Sequence, residues 1–466
     1  MTDRYQFRYI SADPGAGKTE WAIQRALRSL RVNPVLFVVP TRALCDEIEG
    51  RSHGQIEAIH SGRYPGETIG PLIQERMSAV ARTHHNRALV ITDAAYSHLH
   101  LRHDNWIVFK DEPREPLAIT QLNLEDSHRF VVDHCLQFEV LPENDAFYRL
   151  RVRHPMTYAM TTEQDTVFGQ LFELAEYLRQ DTYYQVLVDR DRWDQSHQLR
   201  YSVFQLPAAW ADWAEVVFMG ANFEHSLIYN QWRHLGVEWI PEATHLPRLP
   251  TERMHIHYLF DDMAWSARTR QAQRQEMTNM EWYLAWVRSE LPGDNYVYVA
   301  NNGYDDQDLD LPGERMPAEC HGLNRWRHVN NCVLLGSYLQ NPQDELFYQY
   351  YKTSTSDIRG MRNAQYYVQQ LTRTNIRDYG SDLPVMVYVP TRKEALDLLR
   401  YFSQARVHAP DGQQYRLRRD WQPPRVLTDV APAITGLTIG PNTFRPAVLM
   451  GADEEVIAPD VARPGH

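Results

Sequence analysis

Short apolar runs alternate with polar, helix-compatible stretches through the first 120 positions. Residues 7–10 (FRYI), 35–39 (VLFVV), 88–91 (ALVI) and 106–109 (WIVF) are too short for helices and suit buried strands of a parallel sheet. The first three run on into EWAIQRALRSL, PTRALCDEIEGR and TDAA, each compatible with a helix, so the pattern predicts repeated strand–loop–helix units. Further on, Phe168, Leu171, Phe172, Leu174 and Leu178 form one stripe of an amphipathic helix, and residues 184–188 and 200–206 read as strands. The pattern restarts at 254–260 (MHIHYLF) as a strand, continues as one long helix over 266–291, and returns to a strand at 295–300 (NYVYVA). Beyond about residue 403 the prolines Pro410, Pro423, Pro424, Pro432, Pro441, Pro446, Pro459 and Pro464 break any long element, leaving an irregular appendage with a short hairpin near 433–450.

Composition narrows the class. With 466 residues, 43% hydrophobic, 23% charged and 11% aromatic, the chain is globular and long enough for two to four domains. It has no apolar run of membrane-spanning length, and its opening MTDRYQFRY lacks the apolar stretch of a signal peptide, so a cytoplasmic protein is expected. Cys45, Cys135, Cys320 and Cys332 are scattered, which points to reduced core thiols. A net charge of −12 argues against coating nucleic acid through a bulk field and leaves room for a local basic groove. All but four of the basic residues are arginine, so the lysines that remain, Lys18 among them, stand out.

Lys18 belongs to the sharpest motif. Ala12 to Thr19 read ADPGAGKT, between a strand and a helix, which is a phosphate-binding loop with Ala12 in place of the first glycine. Pro14, Gly15, Ala16 and Gly17 form a loop whose amides wrap phosphates, Lys18 reaches the β- and γ-phosphates, and Thr19 offers its hydroxyl to Mg²⁺. The partner acids follow the strand 106–109: Asp111 is suited to hold Mg²⁺ through water, and Glu112 to deprotonate the attacking water. Pro40, Thr41 and Arg42 stand at a helix start, where amides and a hydroxyl suit a nucleic-acid phosphate; Thr92 repeats the arrangement. Taken singly, each such threonine equally suits an ordinary helix cap.

ADPGAGKT, VVPTRAL, VITDAA and VFKDEP, in this order, resemble motifs I, Ia, Ic and II of superfamily 2 helicases and translocases. Gly220-Ala221-Asn222 after an apolar strand is similar to motif III, and the departures DEPR and GAN resemble the helicases carried by phages and mobile elements. Gln6 is the one candidate for an adenine-reading glutamine. The resemblance extends to motif IV at Asn301 and Asn302, to motif V at Gly322-Leu323-Asn324, and to motif VI, where Gln369, Arg373 and Arg377 keep nearly the family spacing. It implies two RecA-like P-loop NTPase domains of α/β class, at 1–253 and 254–402, with an α+β insertion at about 117–212 and the Pro-rich appendage at 403–466. ATP and Mg²⁺ are then the ligands, with Gln369, Gly322 and Asn324 facing the nucleotide. Arg373 and Arg377, four apart on one helical face, supply the charge that crosses the cleft, Arg373 as the finger.

The implied activity is ATP hydrolysis coupled to movement along nucleic acid, DNA before RNA, gripped through its backbone at Pro40, Thr41, Arg42, Thr92 and Asn301. No membrane partner is expected. A packaging motor of the large-terminase kind and a nucleotide-switched scaffold are the competing readings. Because no assigned nucleotide contact lies inside the insertion, its removal is expected to leave ATP binding intact.

Overall fold

The computed structural model describes residues 5–83, 86–97, 99, 105–122, 132–153, 166–196, 198–261, 263–301, 303–304, 306–317, 320, 325–336, 341–410, 414–417 and 457–459. The chain lays down β1 (Gln6–Ser11), β2 (Val35–Val39), β3 (Ile56–Ile59), β4 (Ala88–Thr92) and β5 (Ile107–Asp111). It then makes an excursion through β6 (Leu117–Leu122), β7 (Leu136–Leu141), β8 (Asn144–Val152), β9 (Tyr184–Asp189) and β10 (Leu199–Gln205), and returns through β11 (Glu215–Gly220) and β12 (Glu238–Pro241). The outer set forms one sheet in the order β12-β1-β11-β5-β2-β4-β3, every pair parallel.

Its strands are apolar on both faces because both faces are covered. In β2, Leu36 and Val38 enter one core cluster, while Val35, Phe37 and Val39 enter another. The second cluster takes Ala22, Ile23 and Ala26 of α1 (Lys18–Ser29) and Cys45 and Ile48 of α2 (Arg42–Arg51). The first takes Ile73, Met77 and Val80 of α3 (Ile69–Thr83), and α4 (Asp93–Tyr96) follows β4.

β5 and β11 are neighbours, with Ile107 opposite Glu215 and Asp111 opposite Met219, so the excursion leaves and re-enters the sheet at adjacent strands. It folds as its own antiparallel sheet, β6-β10-β9-β8-β7, with α5 (Thr166–Arg179) and α6 (Arg190–Ser196). Leu171, Leu174 and Leu178 of α5 pack with Val186, Val188, Tyr201 and Val203, as the stripe predicts. After β11 comes α7 (Leu227–His234).

The second parallel sheet starts at β13 (Met254–Phe260). The single helix expected over 266–291 is two. α8 (Ala267–Gln271) and α9 (Asn279–Glu290) each begin with a capping box, Ser266 with Thr269 and Thr278 with Glu281. Between them a two-residue hairpin, β14 (Gln273–Arg274) and β15 (Met277–Thr278), turns at Gln275, whose φ is 59°. Two start signals twelve residues apart outweigh the continuous helical periodicity.

β16 (Val297–Val299), α10 (Asp306–Leu309), β17 (Glu314–Arg315) and β18 (Asn331–Leu334) follow, then α11 (Glu345–Tyr350), α12 (Thr355–Leu371), β19 (Val385–Thr391) and α13 (Arg392–Leu399). β20 (Arg406–His408) joins β13 in parallel, and β21 (Gln414–Leu417) and β22 (Ile457–Pro459) extend that edge antiparallel. The order is β17-β16-β18-β19-β13-β20-β21-β22. These are two RecA-like α/β units, the first carrying an α+β insertion. The hairpin expected at 433–450 lies outside the described residues.

Candidate nucleotide-binding cleft

Because β1, β2, β4 and β5 are parallel, their C-terminal ends share one edge of the sheet, the edge where ligands of such folds bind. The phosphate loop follows β1 there. Gly15 and Gly17 take φ values of +80° and +96°, which L side chains adopt only with strain, and Pro14 and Ala16, on either side of Gly15, are buried. Lys18 is buried, its Nζ donating to the carbonyls of Ala12 at 2.8 Å and Asp13 at 3.0 Å. Burial pulls its pKa down, and the nearby Asp111, Glu112 and Asp13 work against that shift.

Asp111, at the end of β5, is 5% exposed, and Thr19 Oγ1 donates to its Oδ2 at 3.4 Å. Desolvation first, and repulsion from Glu112 second, push the Asp111 carboxyl up to about 6. Glu112 sits at φ 42°, a left-handed conformation costing a non-glycine residue about 1–3 kcal/mol. That backbone is held by β11: the Glu112 N–H donates to the Met219 carbonyl at 2.8 Å. The Ala12 N–H donates to the Gly220 carbonyl at 3.3 Å, and Ser11 Oγ accepts from the Phe223 N–H at 2.9 Å. The Gly220-Ala221-Asn222 turn therefore ties the phosphate loop to the acid loop. Lys110 braces the same point, paired with Asp93 at 2.7 Å while donating to the Asp111 carbonyl at 2.7 Å.

The opposite wall comes from the second sheet. α12 stops at Leu371, and Arg373 and Arg377 do not share a helical face as their spacing suggests. The hydroxyls of Thr372 and Thr374 bond the carbonyls of Gln369 and Leu371 at 3.0 and 2.6 Å, capping the helix end and turning the chain into the 3₁₀ turn Asn375–Arg377. This turn lays the Arg377 guanidinium on the phosphate loop, where a Cβ built on Gly15 would stand 2.8 Å from the guanidinium carbon. Arg373, 8% exposed, bonds instead to the buried thiol of Cys320. Burial lowers the pKa of Arg377, and the charges of Arg373 and Arg327 lower it further, with Glu112 opposing. Gln369 is half-buried at the end of α12. Gly322 and Asn324 lie outside the described residues, as does Asn302.

The other expected positions fall at strand ends. Thr41 and Thr92 are N-caps, accepting from the Leu44 and Ala95 amides at 3.2 and 3.3 Å; Thr41 and Arg42 are exposed and Pro40 half-buried. Asn301 follows β16, its carbonyl accepting from Arg315 at 3.2 Å. Gln6 is placed away from the cleft: it begins β1, at the end opposite the phosphate loop, and bonds Glu238 at 3.2 Å. A glutamine six positions before the loop is carried a strand's length away by the extended chain.

Sequence reasoning missed several members of the cleft. Asp13 accepts from the Leu249 amide at 2.8 Å, and Leu246 comes within 3.9 Å of where a Gly17 Cβ would be, so the segment between the sheets lies on the phosphate loop. Arg327 and Tyr379 also reach the electrostatic environment of Arg377. The alternation Arg325-Trp326-Arg327-His328 was the signal for the first; Tyr379 had none.

The sequence matches no protein-family model and no curated protein. Among solved structures the chain is similar to S. tokodaii Xpd4, at 10% identity and TM-score 0.48, covering 86% of this chain and 96% of that one. It is also similar to S. cerevisiae Dbp5 bound to RNA and ADP BeF3, at 9% identity and TM-score 0.35, covering 87% of this chain and 85% of that one. These likenesses are distant, and the reading of the cleft rests on its own side chains. Among the described residues no helix is long and apolar enough to cross a membrane.

Proposed function

We propose that this chain hydrolyses ATP in the cleft between its two parallel sheets and couples turnover to movement along a nucleic-acid strand, as a helicase or translocase. The observation that carries the reading is the contact of Arg377 with Gly15, which brings a cation from the second sheet onto the loop of Lys18 and Thr19, beside Asp111 and Glu112 of the acid loop.

The residues fit a magnesium nucleotide. Lys18 has two loop carbonyls as partners and is free to exchange them for phosphate oxygens, while the amides of Gly15, Ala16 and Gly17 wrap the same group. Thr19 and Asp111 would hold Mg²⁺, which neutralises charge on the β- and γ-phosphates when bound. Glu112 takes the proton of the attacking water, its carboxylate aimed by the strained backbone that β11 supports. Arg377 and Arg373 face the charge that develops on the transferring group, an effect worth about 10³–10⁵ in rate in other NTPases. Gln369 completes the nucleotide side, and the resemblance to motif V assigns Gly322 and Asn324 to it by sequence alone. Pro40, Thr41, Arg42, Thr92 and Asn301 grip the strand backbone at the sheet edges, which gives little sequence preference.

Lys18→Ala is expected to lose most ATP binding, whereas Glu112→Gln binds ATP and turns it over slowly. Nucleotide titration and steady-state ATPase on both variants test this. Wild-type turnover in Glu112→Gln would reject the assignment.

A further inference from the structure

Three residues beyond Glu112, the acid loop makes a second contact. Glu115 forms a two-pronged ion pair with Arg362 of α12: Arg362 Nε donates to Oε1 at 2.9 Å and Nη2 to Oε2 at 2.6 Å. Arg362 Nη2 also reaches the Tyr348 hydroxyl at 2.6 Å, and its guanidinium lies 5.4 Å from the centre of that ring. This planar fork fixes direction as well as distance.

The helix it grips spans two cores. Ile358, near its start, is buried in the cluster of the first sheet, with Met361 packed against it; Tyr367, Val368 and Leu371, near its end, are buried in the cluster of the second. Its 17 residues make a rod of about 25 Å, and Arg373 follows two residues after it ends. The segment leading into it is anchored to the insertion. Phe347 packs on Phe147 with ring centroids 4.9 Å apart, Tyr351 stacks on Phe204 at 4.0 Å, and the Tyr351 hydroxyl bonds Gln185 at 3.1 Å. Arg200, 4% exposed, pairs with Asp344 and bonds Gln343 at 2.6 Å.

We infer that Glu115 and Arg362 are a positioning pair: they fix α12 against the acid loop and thereby set where Arg373 and Arg377 stand relative to Glu112. The inference rests on the ATPase reading above. A carboxylate three residues past the general base and an arginine at the middle of the helix that leads to Arg373 and Arg377 give the two halves of the site one ruler. An ordinary ion pair, a quarter exposed on each side, would add a little stability and leave turnover alone.

The test uses the full chain with Glu115→Gln, which keeps shape and loses charge, Arg362→Lys, which keeps charge and loses the fork, and the charge-swapped double variant Glu115→Arg/Arg362→Glu. Each single variant is expected to lower kcat by about tenfold or more while nucleotide Kd stays within about threefold, because misplacement acts on the reacting geometry. Hydrogen exchange at residues 372–378 rises in both, and the swapped protein recovers part of kcat. The inference is overturned if folded single variants keep wild-type kcat, or lose kcat and affinity in equal measure. Where a single variant does not fold, the swapped protein decides: kcat within about tenfold of wild type supports the pair, and a larger loss with intact nucleotide binding removes it. A wild-type chain without ATPase removes the underlying reading and this inference with it; a wild-type ATPase that the variants preserve removes the inference alone.

Discussion

The guanidinium of Arg377 lies against Gly15, so close that any side chain on that glycine would displace it. Arg377 belongs to the turn after α12 and Gly15 to the loop after β1, so two units with separate cores meet where a polyphosphate would sit. Burial and the neighbouring charges of Arg373 and Arg327 work against the charge on Arg377. Such crowded cations are relieved by an anion, and the loop beside them carries the ADPGAGKT sequence of a phosphate-binding loop.

Arg377→Ala is expected to lower nucleic-acid-stimulated kcat by about 10³ while weakening ATP binding far less, because the contact tightens in the reacting state. Arg373→Ala moves the same way, and lysine at either position rescues little, since a point charge does not reproduce a planar fork. Steady-state kinetics with direct nucleotide titration checks this. Near-neutral variants would make both residues structural.

Asp111 is expected to set the acid limb of the proposed ATPase activity. Held up to about 6 by burial and by Glu112, it loses its charge as pH falls through that value, and with it the ability to hold a cation. The kcat/KM profile should therefore fall below pH 6, and raising Mg²⁺ should shift the midpoint downward, because cation binding favours the ionised carboxylate. A midpoint indifferent to Mg²⁺ would assign the limb to another group.

What could be read from the chain was local. ADPGAGKT, the KDE sequence after a strand and the apolar stripe of α5 each lie within one unit, and all three elements are present. What depended on partners far along the chain could not be read. Spacing alone puts Arg373 and Arg377 on one helix, and only the hydroxyls of Thr372 and Thr374 at the helix end redirect them. Glu115 and Arg362 are 247 positions apart and carry no local signature. The insertion, expected to be separable from the ATP site, covers Phe347 and Tyr351 with Phe147 and Phe204, so removing it would bare the segment that leads into α12.

A histidine stack predicts acid sensitivity of the second sheet. His255 and His257 of β13 meet His408 of β20, with a 2.9 Å bond between His255 Nδ1 and His408 Nε2; Tyr388 stacks on His257, and Arg406 adds its charge. Burial first, and the neighbouring imidazoles next, hold His257 and His408 down at about 4. The unfolded chain takes up these protons near pH 6.5 and the folded chain near 4. Their stability contribution is thus complete above about 6.5 and lost as pH falls toward 4. His257→Gln should flatten that slope in denaturant titrations between pH 7 and 4; an unchanged slope would place the titration elsewhere.

The coupling of ATP hydrolysis to nucleic acid is tested most directly by the ATPase rate of the wild-type chain, measured alone and then with single-stranded DNA, duplex DNA and RNA in turn. The arrangement of the cleft predicts slow turnover alone and a marked rise with at least one of them, abolished in Lys18→Ala. A rate that none of the three changes would contradict it.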